Sequence, residues 1–209
     1  MKLLRALAIA AMVLAPLSTA RAQDQLTLVG VNGSNMYGVY NGAYYGSLNG
    51  GDRFTMFCID YTHDVSIGQT WDVTQVALVG GNFTATNAYL GGSFTQTDFE
   101  KAAWLTTQFS AASSPVDIAA IHGAIWDLFL PANQQLTWPG ISTWLGNATT
   151  AAQNGFGGMD FSSYVLLTPT GTNGGQVQLT TTPEPLSMVL VASGLVGVFL
   201  MNGYVRRSA

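Results

Sequence analysis

Arg53-Phe54-Thr55-Met56-Phe57-Cys58-Ile59-Asp60-Tyr61 is the stretch whose reading decides the fold. Alternation puts Phe54, Met56 and Cys58 on one face and Phe57, Ile59 and Tyr61 on the other. A strand that is apolar on both faces belongs in the middle of a sheet covered on both sides. Just before it, Asn49-Gly50-Gly51-Asp52 reads as a hairpin turn, because glycine accepts positive φ without steric cost. Further back, residues 37–46 are rich in Tyr and Gly and read as a strand pair or one irregular strand. Asn32-Gly33-Ser34 reads as a turn, and residues 26–31 as a first strand. Downstream, Ser66-Ile67-Gly68-Gln69 turns the chain into a strand over residues 70–78, ended by Gly80-Gly81.

Beyond Gly81 the apolar period changes from two to that of a helix. Thr97 and Glu100 have capping-box spacing, and Phe99, Ala102, Leu105 and Phe109 follow on one stripe, which predicts a helix over 98–110. Ser114, Pro115 and Asp117 mark a second helix start, with Pro at the first helical position. Its expected buried face is Ile118, Ile121, Ala124, Ile125 and Leu128 or Phe129, and Pro131 stops it. A third helix is expected over 140–153, and a last hairpin pairs 164–168 with 176–181. The expectation is an α+β domain, mainly antiparallel β-structure with a two- to three-helix insertion.

Both ends carry targeting patterns. Residues 1–22 read as a secretory signal peptide. Lys2 and Arg5 form its charged start, 6–17 its apolar stretch, and Ala20 and Ala22 are the small residues beside a cut before Gln23. At the other end, Pro183-Glu184-Pro185 precedes the 20 residues 186–205, which hold no charge, and Arg206-Arg207 follow at once. At about 1.5 Å per residue that run makes a helix of about 30 Å, the hydrocarbon thickness of a bilayer. The arginine pair places the C-terminus in the cytoplasm. The organisation read from the chain is therefore a signal peptide (1–22), an exported globular domain (23–181) and an anchoring tail (182–209).

The tail resembles the PEP-CTERM sorting signal of exported bacterial proteins. The resemblance is carried by Pro183, Glu184 and Pro185, the apolar span, and Arg206 and Arg207. It implies an exosortase-type processing enzyme as a partner, a cell-envelope location, and an association with exopolysaccharide.

The body is similar to thioester domains of bacterial surface adhesins. The matching segments are Phe57-Cys58-Ile59-Asp60, Ala102-Ala103-Trp104-Leu105 and Ile121-His122-Gly123-Ala124-Ile125-Trp126. That family joins a strand Cys to a Gln preceding an Ala-Ile-Trp. Here the Cys is Cys58, but the Gln position holds His122, whose imidazole has no carboxamide to acylate. Thr74-Gln75-Val76-Ala77 and Gln108 are the other glutamines weighed for that role. The resemblance implies a member that kept the scaffold and lost the bond, with a covalent thioester adhesin as the alternative.

Charge narrows the partners. Of 7 Lys and Arg, only Arg53 and Lys101 fall between residues 23 and 182, against ten acids, a net −8 behind the overall −4. Such a surface repels phosphate backbones, which excludes nucleic acid as a partner. Cys58 is the only cysteine, so no internal disulfide forms. It reads as a packed apolar residue, with a thiol nucleophile served by His122 as the functional alternative. His63 with Asp60 and Asp64 suggests a cation site, but without Asp-x-Asp-x-Asp spacing it reads as a solvated turn. Asp117 reads as a helix-start acid and Asp127 as a surface charge. No metal, cofactor or catalytic constellation is expected. The function expected is that of a structural or adhesive envelope protein and not of an enzyme.

Overall fold

The computed structural model describes residues 23–171 and 174–182. The signal peptide with Ala20 and Ala22, and the tail with Pro183, Glu184, Pro185, Arg206 and Arg207, lie outside them. Among the described residues no helix is long and apolar enough to cross a membrane.

Six strands close into an antiparallel barrel: β1 (Asp24–Met36), β2 (Val39–Leu48), β3 (Arg53–Cys58), β4 (Thr70–Ala77), β5 (Tyr164–Pro169) and β6 (Gln178–Thr181), in the spatial order β1-β2-β3-β6-β5-β4. Closure removes the open edges that would otherwise pair with other chains. Four helices are inserted between β4 and β5: α1 (Thr84–Leu90), α2 (Gln96–Gln108), α3 (Pro115–Asp127) and α4 (Ile141–Gln153). The α+β class with antiparallel strands and a helical insertion is thus as read, with one helix more than expected.

One correction follows from the strands. Asn32-Gly33-Ser34 is not a turn but the middle of β1, paired with Asn41, Gly42 and Ala43 of β2. A Cβ on Gly33 would collide with the Asn41 carbonyl, so this glycine serves close strand approach. The turn lies further on, at Tyr37 (φ 58°) and Gly38 (φ 81°). The β2–β3 hairpin sits where expected, with positive φ at Asn49 (53°) and Gly50 (70°), the type I′ pattern.

β3 lies between β2 and β6, and only one of its faces is fully covered: Thr55 is exposed and Phe57 half-buried on the other. Met56 and Cys58 are fully buried in a cluster with Leu26, Leu28, Tyr44, Trp71, Val165 and Leu167. β5 is covered on both faces: Leu166 turns away from Val165 and Leu167 into a second cluster, shared with Ile59, Leu179, Phe99, Leu105 and Ile121 under the helices.

The helices differ in detail from expectation. The capping box on α2 is Thr95 with Asp98, not Thr97 with Glu100. Ser114 caps α3, with Pro115 in its first turn. α3 has no solvent face after its first turn. Every residue from Ala119 to Asp127 is buried, because the helix lies between the barrel wall at β1 and β2 and helices α2 and α4. Gly123 permits the α3–α4 approach: a Cβ there would sit 2.5 Å from Ile141 Cδ1.

Candidate functional site

Cys58 and His122, far apart in the chain, meet at a break in the barrel wall. The β2–β3 ladder runs from Ser47↔Arg53 to Tyr44↔Met56. Continued by two residues, the same register would face Gly42 with Cys58. There the His122 ring is inserted instead. The Gly42 amide donates to His122 Nδ1 at 2.7 Å, and Nε2 lies 2.8 Å from the Cys58 carbonyl. Because Nδ1 accepts, the proton sits on Nε2, which donates to that carbonyl. The imidazole thus replaces a missing rung of the ladder. Burial pushes its pKa down to about 4, with the Cys58 carbonyl opposing, so the ring is neutral at pH 7.

The thiol itself is withdrawn from chemistry. Cys58 is 0% exposed and its Sγ donates to the Asp60 carbonyl at 3.1 Å. Burial, then the Asp60 charge, pushes the thiol up to about 12, and the neighbouring Asp60 backbone, Trp126 and Gln178 groups offset only part of this. Thiolate is therefore scarce at neutral pH. Both nitrogens of His122 are engaged by the backbone, so the ring is not free to act as a base toward the sulfur.

Neither glutamine weighed from the sequence approaches Cys58. Gln75 is exposed on β4 and bonds Asp24, and Gln108 bonds Trp104 and Thr107. The carboxamide beside Cys58 belongs to Gln178, its direct partner in the β3–β6 pairing, 0% exposed and with Oε1 unpartnered. Sequence spacing did not single out Gln178, since it lies 120 positions away on a strand joined only through barrel closure.

The turn after β3 is solvated only in part: Thr62 and Asp64 are exposed, but its first acid is not. Asp60 is 1% exposed. Its Oδ1 accepts from Thr62 N and Oγ1, and its Oδ2 lies 2.8 Å from His63 Nδ1. Gln176 Nε2 donates to the carbonyls of both Asp60 and His63, tying the turn to the start of β6. Among the described residues no three His, Cys, Asp or Glu side chains are grouped to hold a metal ion. Asp117 takes the helix-start role expected of it, accepting from Ser113 and Ser114. Asp127 does not stay on the surface: it is 6% exposed and accepts from the Leu136 amide at 2.7 Å, anchoring the segment between α3 and α4. Burial raises its pKa, with that hydrogen bond opposing.

One feature of the barrel was not anticipated from the sequence. At the end where the β1–β2 turn, the β3–β4 loop and the start of β6 meet, a partly open cavity of about 200 Å³ is lined by Tyr40, Tyr44, Tyr61, Trp126, Asp64 and Gln176, among others. Tyr44 donates to the Tyr40 carbonyl at 2.9 Å, which holds the ring in place. Burial, followed by the neighbouring Cys58, Tyr40 and Asp64 groups, pushes the Tyr44 phenol well above its usual range. Trp126 stacks on His122 at 4.0 Å and packs against Tyr61 at 5.0 Å. The tyrosine density of residues 37–46 was the one available signal, since strand formation alone does not require it.

No family model matches the chain, and no curated protein or solved structure matches it.

Proposed function

We propose that this chain is an exported cell-envelope protein whose domain scaffolds or adheres and does not catalyse. In this reading it is associated with exopolysaccharide and sorted through its tail by an exosortase-type enzyme. The single observation that favours a non-catalytic domain is how Cys58 and His122 are used. The one thiol is buried with its pKa near 12, and the one buried imidazole is bonded to backbone at both nitrogens. The sorting half rests on sequence alone: Pro183-Glu184-Pro185, the uncharged run 186–205 and Arg206-Arg207, behind a cleavable leader ending at Ala22.

Glu184→Ala separates sorting from simple anchoring, because it leaves the apolar run and its basic end untouched. In a host that carries an exosortase-type enzyme, wild type should be shortened and partly released, and Glu184→Ala should remain full-length and membrane-bound. Equal length and equal membrane retention of the two would overturn the sorting reading.

A second reading, a covalent adhesin, is favoured by one specific observation. The Gln178 carboxamide is the cross-strand partner of Cys58, buried and with an unpartnered oxygen. A thioester would form by attack of Sγ on that carboxamide carbon, with ammonia leaving. The intact mass of the purified chain would then be lower by one ammonia, and treatment with ammonia would restore it. A mass equal to the sequence removes that reading.

A further inference from the structure

We propose that the cavity ringed by Tyr40, Tyr44, Tyr61 and Trp126, with the Asp64 carboxylate beside it, is a binding site for an organic ammonium group. This is the group carried by amino sugars and by methylated amines. The inference deepens the non-catalytic reading by naming a ligand class, and it is independent of how the tail is processed.

Charge comes first. Asp60 also lines this cavity, but its carboxylate is already engaged by Thr62 and His63. Asp64 has no hydrogen-bond or ion-pair partner among the described residues, and it is exposed. The domain has no cation to spare for it. Arg53 lies 3.3 Å over the Tyr45 ring, and Lys101 bonds Asp98 at 3.3 Å. The carboxylate at the cavity is therefore left for a ligand, and the net negative domain draws cations toward it.

The lining then selects the kind of cation. A calcium ion takes six to eight oxygen ligands, and magnesium a near-octahedral set. One uncommitted carboxylate does not supply either. Four aromatic side chains suit a soft, diffuse cation, since the negative face of a Tyr or Trp ring attracts ammonium and quaternary ammonium groups. Anions are disfavoured by Asp60 and Asp64. A neutral sugar would find donors in the lining, such as the unpartnered Trp126 Nε1, but would leave the Asp64 charge uncompensated. A cavity of about 200 Å³ suits one monosaccharide unit or one alkylammonium head.

The site is preformed. Asp60 and Gln176 tie the β3–β4 loop to β6, Tyr44 is held by the Tyr40 carbonyl, and Trp126 is fixed by its stack on His122. Little ordering is left for a ligand to impose.

The test titrates the full-length protein, purified in detergent, with four probes at neutral pH, following tryptophan fluorescence and calorimetric heat. Choline and glucosamine carry the cation. 3,3-Dimethylbutan-1-ol and glucose are their neutral counterparts. At least one cationic probe should bind saturably and roughly tenfold more tightly than its neutral counterpart. Tighter choline assigns a methylated amine as the source, and tighter glucosamine an amino sugar. Asp64→Asn and Tyr40→Leu, both at exposed positions, should each weaken that binding about tenfold with the melting temperature unchanged. Equal binding of charged and neutral probes would overturn the proposal, as would no binding of either cation or full affinity in both variants. None of these results bears on the Glu184→Ala readout.

Discussion

Replacing His122 with leucine removes a rung of the barrel wall while keeping its volume. The Gly42 amide and the Cys58 carbonyl, both buried, lose their partners together. Each orphaned group costs about 1–3 kcal/mol. A leucine fills much of the same space, so the cavity contribution stays small. The expected loss is about 4 kcal/mol, a large share of the roughly 5–15 kcal/mol that holds a domain folded. At about 2–4 °C per kcal/mol for a domain of this size, the melting temperature should fall by about 8–16 °C. His122→Gln should recover most of this, because a carboxamide keeps one acceptor and one donor on the same side chain. Thermal and urea denaturation of the three proteins at pH 7.5 check it. A leucine variant within about 1 kcal/mol of wild type would refute the rung, as would a glutamine variant no better than leucine.

The same group sets an acid limit. Its folded pKa, about 4, lies below its unfolded value of 6.5, so the unfolded chain takes up the proton first as pH falls. The stability His122 contributes is fully present above pH 6.5, declines between 6.5 and 4, and then levels. The span of about 2.5 units corresponds to about 3 kcal/mol. The gap between wild type and His122→Leu should therefore narrow by about that much between pH 7 and pH 4. His63 and the carboxylates are common to both proteins and cancel. A gap that stays constant would mean the ring is not held neutral by the fold.

Cys58→Ala should cost about 1 kcal/mol or somewhat more through the small cavity left, and thiol reagents should label Cys58 at the rate of global unfolding. Rapid labelling of the native protein would contradict its burial. Asp127→Ala should cost about 1–2 kcal/mol, because the Leu136 amide loses its acceptor. Asp127→Asn keeps a carbonyl oxygen there and removes a charge that burial disfavours, so it should melt at or above wild type near pH 7. Equal losses in the two variants would show that the hydrogen bond is not what Asp127 supplies.

The strands were legible where alternation and turn chemistry agreed, as in β3 and in the Asn49-Gly50 hairpin. They were misread at Gly33, because a glycine needed for close strand approach looks in sequence like one needed for a turn. α1 escaped because it is only seven residues long and has no side-chain cap. The stripe of α2 was readable, whereas α3 was expected to be buried on one face and is buried nearly all round, since its environment is set by two other layers. Asp127 was placed on the surface because the segment that covers it, residues 128–140, has no periodicity. The cavity was invisible because its lining comes from β2, α3, the β3–β4 loop and the start of β6, and nothing local joins them.

What links the ladder to the cavity is the spacing of α3. His122 and Trp126 are four residues apart, so they share one face of the helix. One carries the rung and the other lines the cavity, and they stack at 4.0 Å with a 25° interplanar angle. Gly123, one position on, lies against Ile141 and lets α4 press the helix into the wall. Pulling the imidazole out of the break would therefore displace the indole that lines the cavity. His122→Leu should lower the affinity of a cavity ligand as well as the melting temperature, although residue 122 touches no ligand. His122→Gln should restore stability more fully than affinity, because a carboxamide mends the rung but offers no aromatic face for Trp126 to stack on.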